Sequence, residues 1–380
     1  MSLGVSDSPG GAAALKSRLP GIGFRYQYLA GGVNTGNGWA NWNAGGEFVR
    51  YYIQESRANG IIPVFTYYML YQSQPGVTMG EADGVAANLN NNATMAAYYN
   101  DLKLFFQRAA ASPAGTTVLH VEPDAWAYMQ QRSSNPANIP VRVGGSGQAD
   151  VAGLPNNAAG FAQAIVRLRD RYAPTVTLGY HYSVWSSGQD IIYSDPSDSV
   201  VATLGTSVAN FYKALNARFD VAFHDLTDRD AAFKQYVYGD GGRSWYNAND
   251  YRRSTIYVGA FGRAANLRTV IWQIPFGNTK MRAQNNTWDH YQDNKVEWLL
   301  DEPARTHLKA YADAGVVAFL FGRGAGGATC ACDAAGDGVT NPPAINGNTR
   351  PSINADDDGG YFKEKARAYL SGPMVLPGGS

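Results

Sequence analysis

The chain is poor in charge and in sulfur. Only 16% of its 380 residues are Asp, Glu, Lys or Arg, and the 31 cations balance the 31 anions. A neutral chain lacks the basic surface that meets phosphate, which argues against a nucleic-acid partner and gives no support for an anionic membrane. No apolar run approaches the ~20 residues that span a bilayer. The longest, such as Ile61–Phe65 and Val316–Phe321, have strand length. The two cysteines, Cys330 and Cys332, are one residue apart. Such a pair rarely closes with good disulfide geometry and is too close for most zinc patterns. With only five histidines besides, neither a metal nor a cofactor is expected. Met1 is followed by SLGVSDSPGG, without the basic and apolar regions of a signal peptide. These first residues read as an appended tail.

What is present is aromatic and glycine-rich: 24 Tyr, 8 Trp and 43 Gly. With 45% hydrophobic residues a large core can form. The profile is common in secreted proteins that act on polysaccharides, where flat rings stack on sugar faces. Secretion and a monomeric state are therefore the expectation. Residues 1–372 read as one domain, and the Pro/Gly-rich 373–380 as a linker remnant.

Apolar runs at Gly23–Leu29, Ile61–Met69, Thr117–Val121, Thr175–Tyr182, Phe219–His224, Thr269–Ile274 and Val316–Phe321 alternate with helical segments of 3.6-residue period. Examples are Met95, Tyr98, Tyr99, Leu102, Phe105 and Phe106, and Phe161, Ile165, Leu168 and Tyr172. A last helix is predicted around Tyr361–Leu370. Repeated strand-then-helix order means a parallel sheet, and strands apolar on both faces mean a buried one. The reading is an α/β fold, a TIM-like parallel β/α barrel of seven or eight strands. Chemistry in such barrels sits at the C-terminal strand ends. The loop after the first run, Gly31-Gly32-Val33-Asn34-Thr35-Gly36, carries no dinucleotide or phosphate fingerprint.

The strand ends carry the candidates. His120-Val121-Glu122-Pro123-Asp124 places two carboxylates around a proline that stops the ladder. Two carboxyls in different surroundings allow one to be a proton donor at neutral pH. Phe223-His224-Asp225 ends the fifth run, with Asp225 the residue closest to a cleft; Asp228 reads as a helix-start carboxylate and Asp230 is open. Tyr67, His181, Trp185, Trp272 and Gln273 end other runs, and Trp126 follows Asp124. Rings beside neutral polar groups suit a sugar. The glycine-rich stretch after the seventh run adds Arg323 and Asp333.

The Glu122-Pro123-Asp124 segment resembles the Glu-Pro-Asp signature of glycoside hydrolase family six, whose members act on β-1,4-glucan. Gly326-Gly327…Cys332-Asp333 is similar to a stretch after that family's last strand. The resemblance implies a distorted seven-stranded barrel, Asp124 as proton donor and Asp333 as base, with Arg323 at best in place of a nearby lysine. The family's acidic run after the second strand is absent here, where Tyr67–Gln74 holds no carboxylate. A similar run, Asp225–Ala231, comes later in the chain. Val121-Glu122-Pro123 also resembles the Asn-Glu-Pro acid/base of the large retaining glycosidase group, which would make Glu122 the acid/base. The later Glu297, Glu302 and Glu364 lie on helical patterns, so that group's nucleophile has no match.

The expected function is hydrolysis of a neutral polysaccharide or oligosaccharide. Asp124 or Glu122 would be the acid, and Asp225 or Asp333 its partner. Tyr67, Trp126, His181, Trp185, Trp272, Gln273 and Arg323 would form the subsites. The alternative is a glycan-binding barrel that lost its catalytic pair.

Overall fold

The structure, a computed structural model, describes residues 1–279, 292–322 and 361–376. Eight parallel strands form a closed barrel in chain order. They are β1 (Ser2–Ser6), β2 (Phe24–Leu29), β3 (Ile62–Tyr67), β4 (Thr117–Val121), β5 (Val176–Tyr182), β6 (Val221–Asp225), β7 (Thr269–Pro275) and β8 (Val316–Gly322). Around them lie α1 (Ala12–Arg18), α2 (Glu47–Ala58), α3 (Glu81–Leu89), α4 (Asn92–Ala110), α5 (Ala125–Arg132) and α6 (Ala158–Tyr172). They are followed by α7 (Asp198–Ala214), α8 (Ala231–Phe233), α9 (Ala248–Ala265), α10 (Lys295–Leu300), α11 (Thr306–Asp313) and α12 (Tyr361–Leu370).

The first residues are not an appended tail. β1 pairs with β2 (Val5 opposite Arg25) and with β8 (Leu3 opposite Phe319), and so closes the barrel. Leu3 and Val5 are fully buried. The Tyr369 hydroxyl of α12 donates to the Met1 carbonyl, tying the base of β1 to the last helix.

Strand alternation sorts the side chains. Tyr26, Val64, Val118, Phe223, Val270, Trp272, Ala318 and Leu320 fill the barrel interior as one cluster. The alternate residues pack with the helices in a larger outer core. Registry puts Thr66 beside His120, and Asp225 beside Trp272. These share the inward phase of Val64, Val118, Phe223 and Val270. Inside, Gly179 of β5 is required by space: a Cβ there would lie 2.4 Å from the Phe223 ring. The starts of α4, α6 and α9 are capped locally: Asn91 accepts from the Thr94 amide, Asn157 from Gly160, and Asn247 with Asp250 forms a capping box on α9.

Candidate active site

A cavity of about 280 Å³ opens at the C-terminal mouth of the barrel. Asp124 and Asp225 both line it, along with Tyr128, Trp185, Asp190 and Lys234. Glu81, Tyr193, Asp228, Ser244 and Tyr246 complete most of the wall.

The backbone after β4 decides where its two carboxylates go. Glu122 and Asp124 both adopt positive φ, 46° and 69°. Such angles are uncommon for residues with a Cβ and concentrate where function or tight packing imposes them. The first twist turns Glu122 away from the mouth. Its Oε1 accepts from the Met69 and Leu70 amides at 3.2 and 3.1 Å. Glu122 is 1% exposed. Burial pushes its carboxyl up to about 8, against the pull of those amides and of Tyr98. Glu122 therefore braces the loop after β3 and does not line the cavity. The second twist brings Asp124 to the cavity wall.

Asp124 and Asp225 sit in opposed surroundings. Burial, then the Asp225, Glu81 and Asp228 carboxylates, push the Asp124 carboxyl well above the usual carboxylate range, with Arg229 opposing. Burial works to raise Asp225 too. It is outweighed by the hydrogen bond and proximity of His181, by His224 and by the Ser183 hydroxyl, which hold Asp225 down at about 2. His181 Nε2 is 3.0 Å from Asp225 Oδ1 and 3.0 Å from Ser183 Oγ. The cavity thus holds one carboxyl that keeps its proton beside one that has lost it.

The remaining wall mixes rings and aliphatic groups with polar side chains. The Trp185 and Tyr128 rings meet at 5.0 Å with a 45° tilt. Glu81 accepts from the Tyr68 hydroxyl at 2.5 Å, and burial raises its carboxyl. Asp190 accepts from the Ile192 and Tyr193 amides at 2.7 and 3.0 Å, and it too is raised by burial. Lys234 pairs with Asp228 at 2.9 Å. Burial would lower the Lys234 ammonium, but Asp228, with Tyr193 and Asp190, outweighs it and raises it. The cavity wall thus carries a cation, and it is matched by a carboxylate.

Several residues fall elsewhere than expected. Tyr67 has the outward phase; its hydroxyl donates to Asp101 of α4 at 2.5 Å, and it is buried. Trp126 is 1% exposed and packs on Phe161, Tyr180 and Phe219 between barrel and helices, so it forms core and no subsite. His181 and Trp272 lie beneath the cavity in the barrel interior, their rings 5.8 Å apart edge to face. Gln273 sits at a bulge in β7 with φ 58°. Asp228 caps nothing: the Ala231 amide at the start of α8 donates to Asp293 at 2.8 Å. Arg323, Asp333, Cys330 and Cys332 lie outside the described residues. Glu81, Tyr128, Asp190, Tyr193, Lys234, Ser244 and Tyr246 were not anticipated. They come from loops and helices beyond the strand ends, where strand phase no longer applies.

Among the described residues no group of three or more His, Cys, Asp and Glu side chains is placed to hold a metal ion. Nor is any helix there long and apolar enough to cross a membrane.

No protein-family model and no curated protein sequence matches the chain. Among solved structures it is similar in fold to a double mutant of the Cellulomonas fimi endo-β-1,4-mannanase, with a TM-score of 0.54 at 11% identity. A second structure, of a modular Cellulomonas fimi endo-β-1,4-mannanase of glycoside hydrolase family 26, gives 0.51 at 10%. Each likeness covers 99% of this chain and 71% of the other. A family-six enzyme from Orpinomyces sp. Y102 superposes over 73% of this chain and 66% of its own, at 13% identity and a TM-score of 0.35. At that level it carries no argument for family six over other barrels. The two mannanase likenesses show that the α/β-barrel fold is shared with those enzymes.

Proposed function

We propose that this protein is a secreted glycoside hydrolase acting on a polysaccharide or oligosaccharide, with residues 1–372 as its catalytic domain. The observation that carries the proposal is the divergence of Asp124 and Asp225 within one cavity. Glycosidic cleavage uses two carboxyl groups, one protonated and one ionised, in both its retaining and its inverting form. Neighbouring titratable groups driven apart by their surroundings identify the acid and its partner.

Asp124 donates its proton to the glycosidic oxygen as the bond to the leaving sugar breaks. Its neighbouring carboxylates favour the neutral form and so keep it loaded. Asp225, ionised and hydrogen-bonded by His181, faces the positive charge that develops at the sugar ring. Trp185 and Tyr128 offer ring faces to the sugar, and Glu81, Asp190 and Asp228 offer acceptors for its hydroxyls. The fold likeness to mannanases is consistent with this reading, and an uncharged glycan is the first substrate to try.

The test is release of reducing ends from a panel of polysaccharides by the wild type beside Asp124→Asn and Asp225→Asn. Activity in the wild type alone supports the proposal. Equal activity in all three proteins refutes the assignment of both residues.

A further inference from the structure

We infer that His120 and Thr66 are positioning residues, which keep the proton of His181 on Nε2, facing Asp225, through a one-way chain of hydrogen bonds inside the barrel. The consequence for catalysis rests on the proposed role of Asp225; the chain itself does not.

Four inward positions on adjacent strands are linked. Thr66 Oγ1 on β3 is 3.2 Å from His120 Nδ1 on β4. His120 Nε2 is 2.9 Å from His181 Nδ1 on β5. His181 Nε2 is 3.0 Å from Asp225 Oδ1 on β6. Thr66, His120 and His181 are all buried.

The direction follows from what each end can do. An ionised carboxylate only accepts, so His181 must present Nε2–H to Asp225. At the far end, the Thr66 hydroxyl has no acceptor among the described residues other than His120. Donating to His120 Nδ1 satisfies that hydroxyl, whereas accepting would leave a buried O–H unpaired, at a cost of about 1–3 kcal/mol. With its Nδ1 accepting, neutral His120 carries its proton on Nε2 and donates to His181 Nδ1. Burial, together with the nearby His181, keeps His120 well below the usual histidine range and so neutral. Every link then points toward Asp225. His181 Nδ1, already accepting, is closed to the proton that would otherwise compete with Nε2.

The rings are held in place as well as bonded. Phe223 stacks on His120 at 4.2 Å and 9°, in the space that Gly179 leaves open. Trp272 meets His120 edge to face at 4.7 Å. His224, next to Asp225, is turned outward and bonds the Tyr182 carbonyl at 2.8 Å, so it takes no part. Besides His181, the charged or titratable groups that face Asp225 are Asp124 and Asp190 on the cavity wall, His224 beside it, and the hydroxyls of Tyr28, Tyr182, Tyr246 and Tyr257.

The experiment is long-range ¹H–¹⁵N correlation of the imidazoles in ¹⁵N-histidine-labelled protein at neutral pH, for wild type, Thr66→Val and His120→Phe. In the wild type, His120 and His181 are expected to carry one proton each, on Nε2, with Nδ1 a hydrogen-bonded acceptor. Thr66→Val should shift only the His120 Nδ1 signal toward that of a free acceptor. His120→Phe should do the same to His181 Nδ1 and end its single tautomer. On any glycan the wild type cleaves, His120→Phe should lower kcat more than it changes KM. A proton on His181 Nδ1 in the wild type overturns the inference, as does an unmoved His181 signal in folded His120→Phe. Unchanged kcat in that variant overturns the positioning role. Should His120→Phe not fold, the wild-type and Thr66→Val spectra still decide. Absence of activity on every glycan counts against the hydrolase reading and leaves the imidazole readout standing.

Discussion

Glu122 is expected to make the protein less stable as pH rises through the neutral range, and replacing it with Gln should abolish that contribution. The carboxyl is buried and accepts from two backbone amides, yet burial outweighs them and moves its pKa from 4.5 to about 8. An unfolded chain releases this proton near 4.5, while the native state keeps it to about 8. Between those values the native state binds more protons, so stability is greatest below 4.5 and declines as pH rises. Each pH unit costs about 1.4 kcal/mol over that window, about 5 kcal/mol in all. From pH 5.5 to 7.5 the wild type should lose about 2 to 3 kcal/mol relative to Glu122→Gln. The Gln amide oxygen still accepts from Met69 and Leu70, and it does not titrate. Other titrating groups are common to both proteins and cancel in the difference. Glu122→Ala should be worse at every pH, because it strands two buried amides at about 1–3 kcal/mol each. Urea unfolding at several pH values, with unchanged m, reads these differences. A wild-type minus Gln difference that stays flat from pH 5.5 to 7.5 would refute the reasoning, since it would mean that the amides hold Glu122 ionised in the native state.

Further outcomes follow from the cavity and the core. Asp124→Asn should lower turnover by about 10²–10⁴-fold, the usual range for loss of a general acid. Activity should require Asp124 protonated and Asp225 ionised, so the alkaline limb of kcat/KM should lie above the ordinary carboxylate range and the acid limb near 2; an alkaline limb near pH 4 would exclude Asp124 as the donor. Trp126→Ala should cost about 3–5 kcal/mol in urea unfolding, whereas Trp185→Ala, partly exposed on the cavity wall, should weaken binding of an oligosaccharide in calorimetric titration and cost far less stability. Gly179→Ala should destabilise by about 1–3 kcal/mol through collision with the Phe223 ring, seen as a lowered Tm; an unchanged Tm would show that the ring gives way freely.

The barrel was legible because parallel strands buried on both faces leave unbroken apolar runs. Thr117–Val121 is β4 as read, and the predicted final helix, Tyr361–Leu370, is α12. β1 was missed because five residues interrupted by Ser and Gly give almost no apolar signal, although Leu3 and Val5 are fully buried. Asp124, Asp225 and Trp185 were assigned to the mouth because they lie at or just past strand ends, which topology alone carries there, and all three line the cavity. Strand phase was not legible, since a run apolar on both faces hides which side is inward; Tyr67 was assigned to the rim and belongs to the outer core. The opposed fates of Glu122 and Asp124 depend on two positive φ angles around Pro123, which no residue pattern announces. Asp228 looked like a helix-start carboxylate because local sequence does not show that Asp293 already takes the Ala231 amide.

The placement of β1 between β2 and β8 has a practical consequence for anyone trimming this chain. A variant starting after residue 7 would lose only a short segment, but it would turn an edgeless cylinder into an open sheet with two raw margins. The backbone donors and acceptors of β2 and β8 that now pair with Val5, Leu3 and their neighbours would face solvent. Vacant margins of this kind recruit strands from other molecules. Such a truncation should therefore appear as self-association or insolubility before any change in chemistry at the opposite end of the barrel, and a synthetic peptide spanning residues 1–7 is the natural reagent to reseal it.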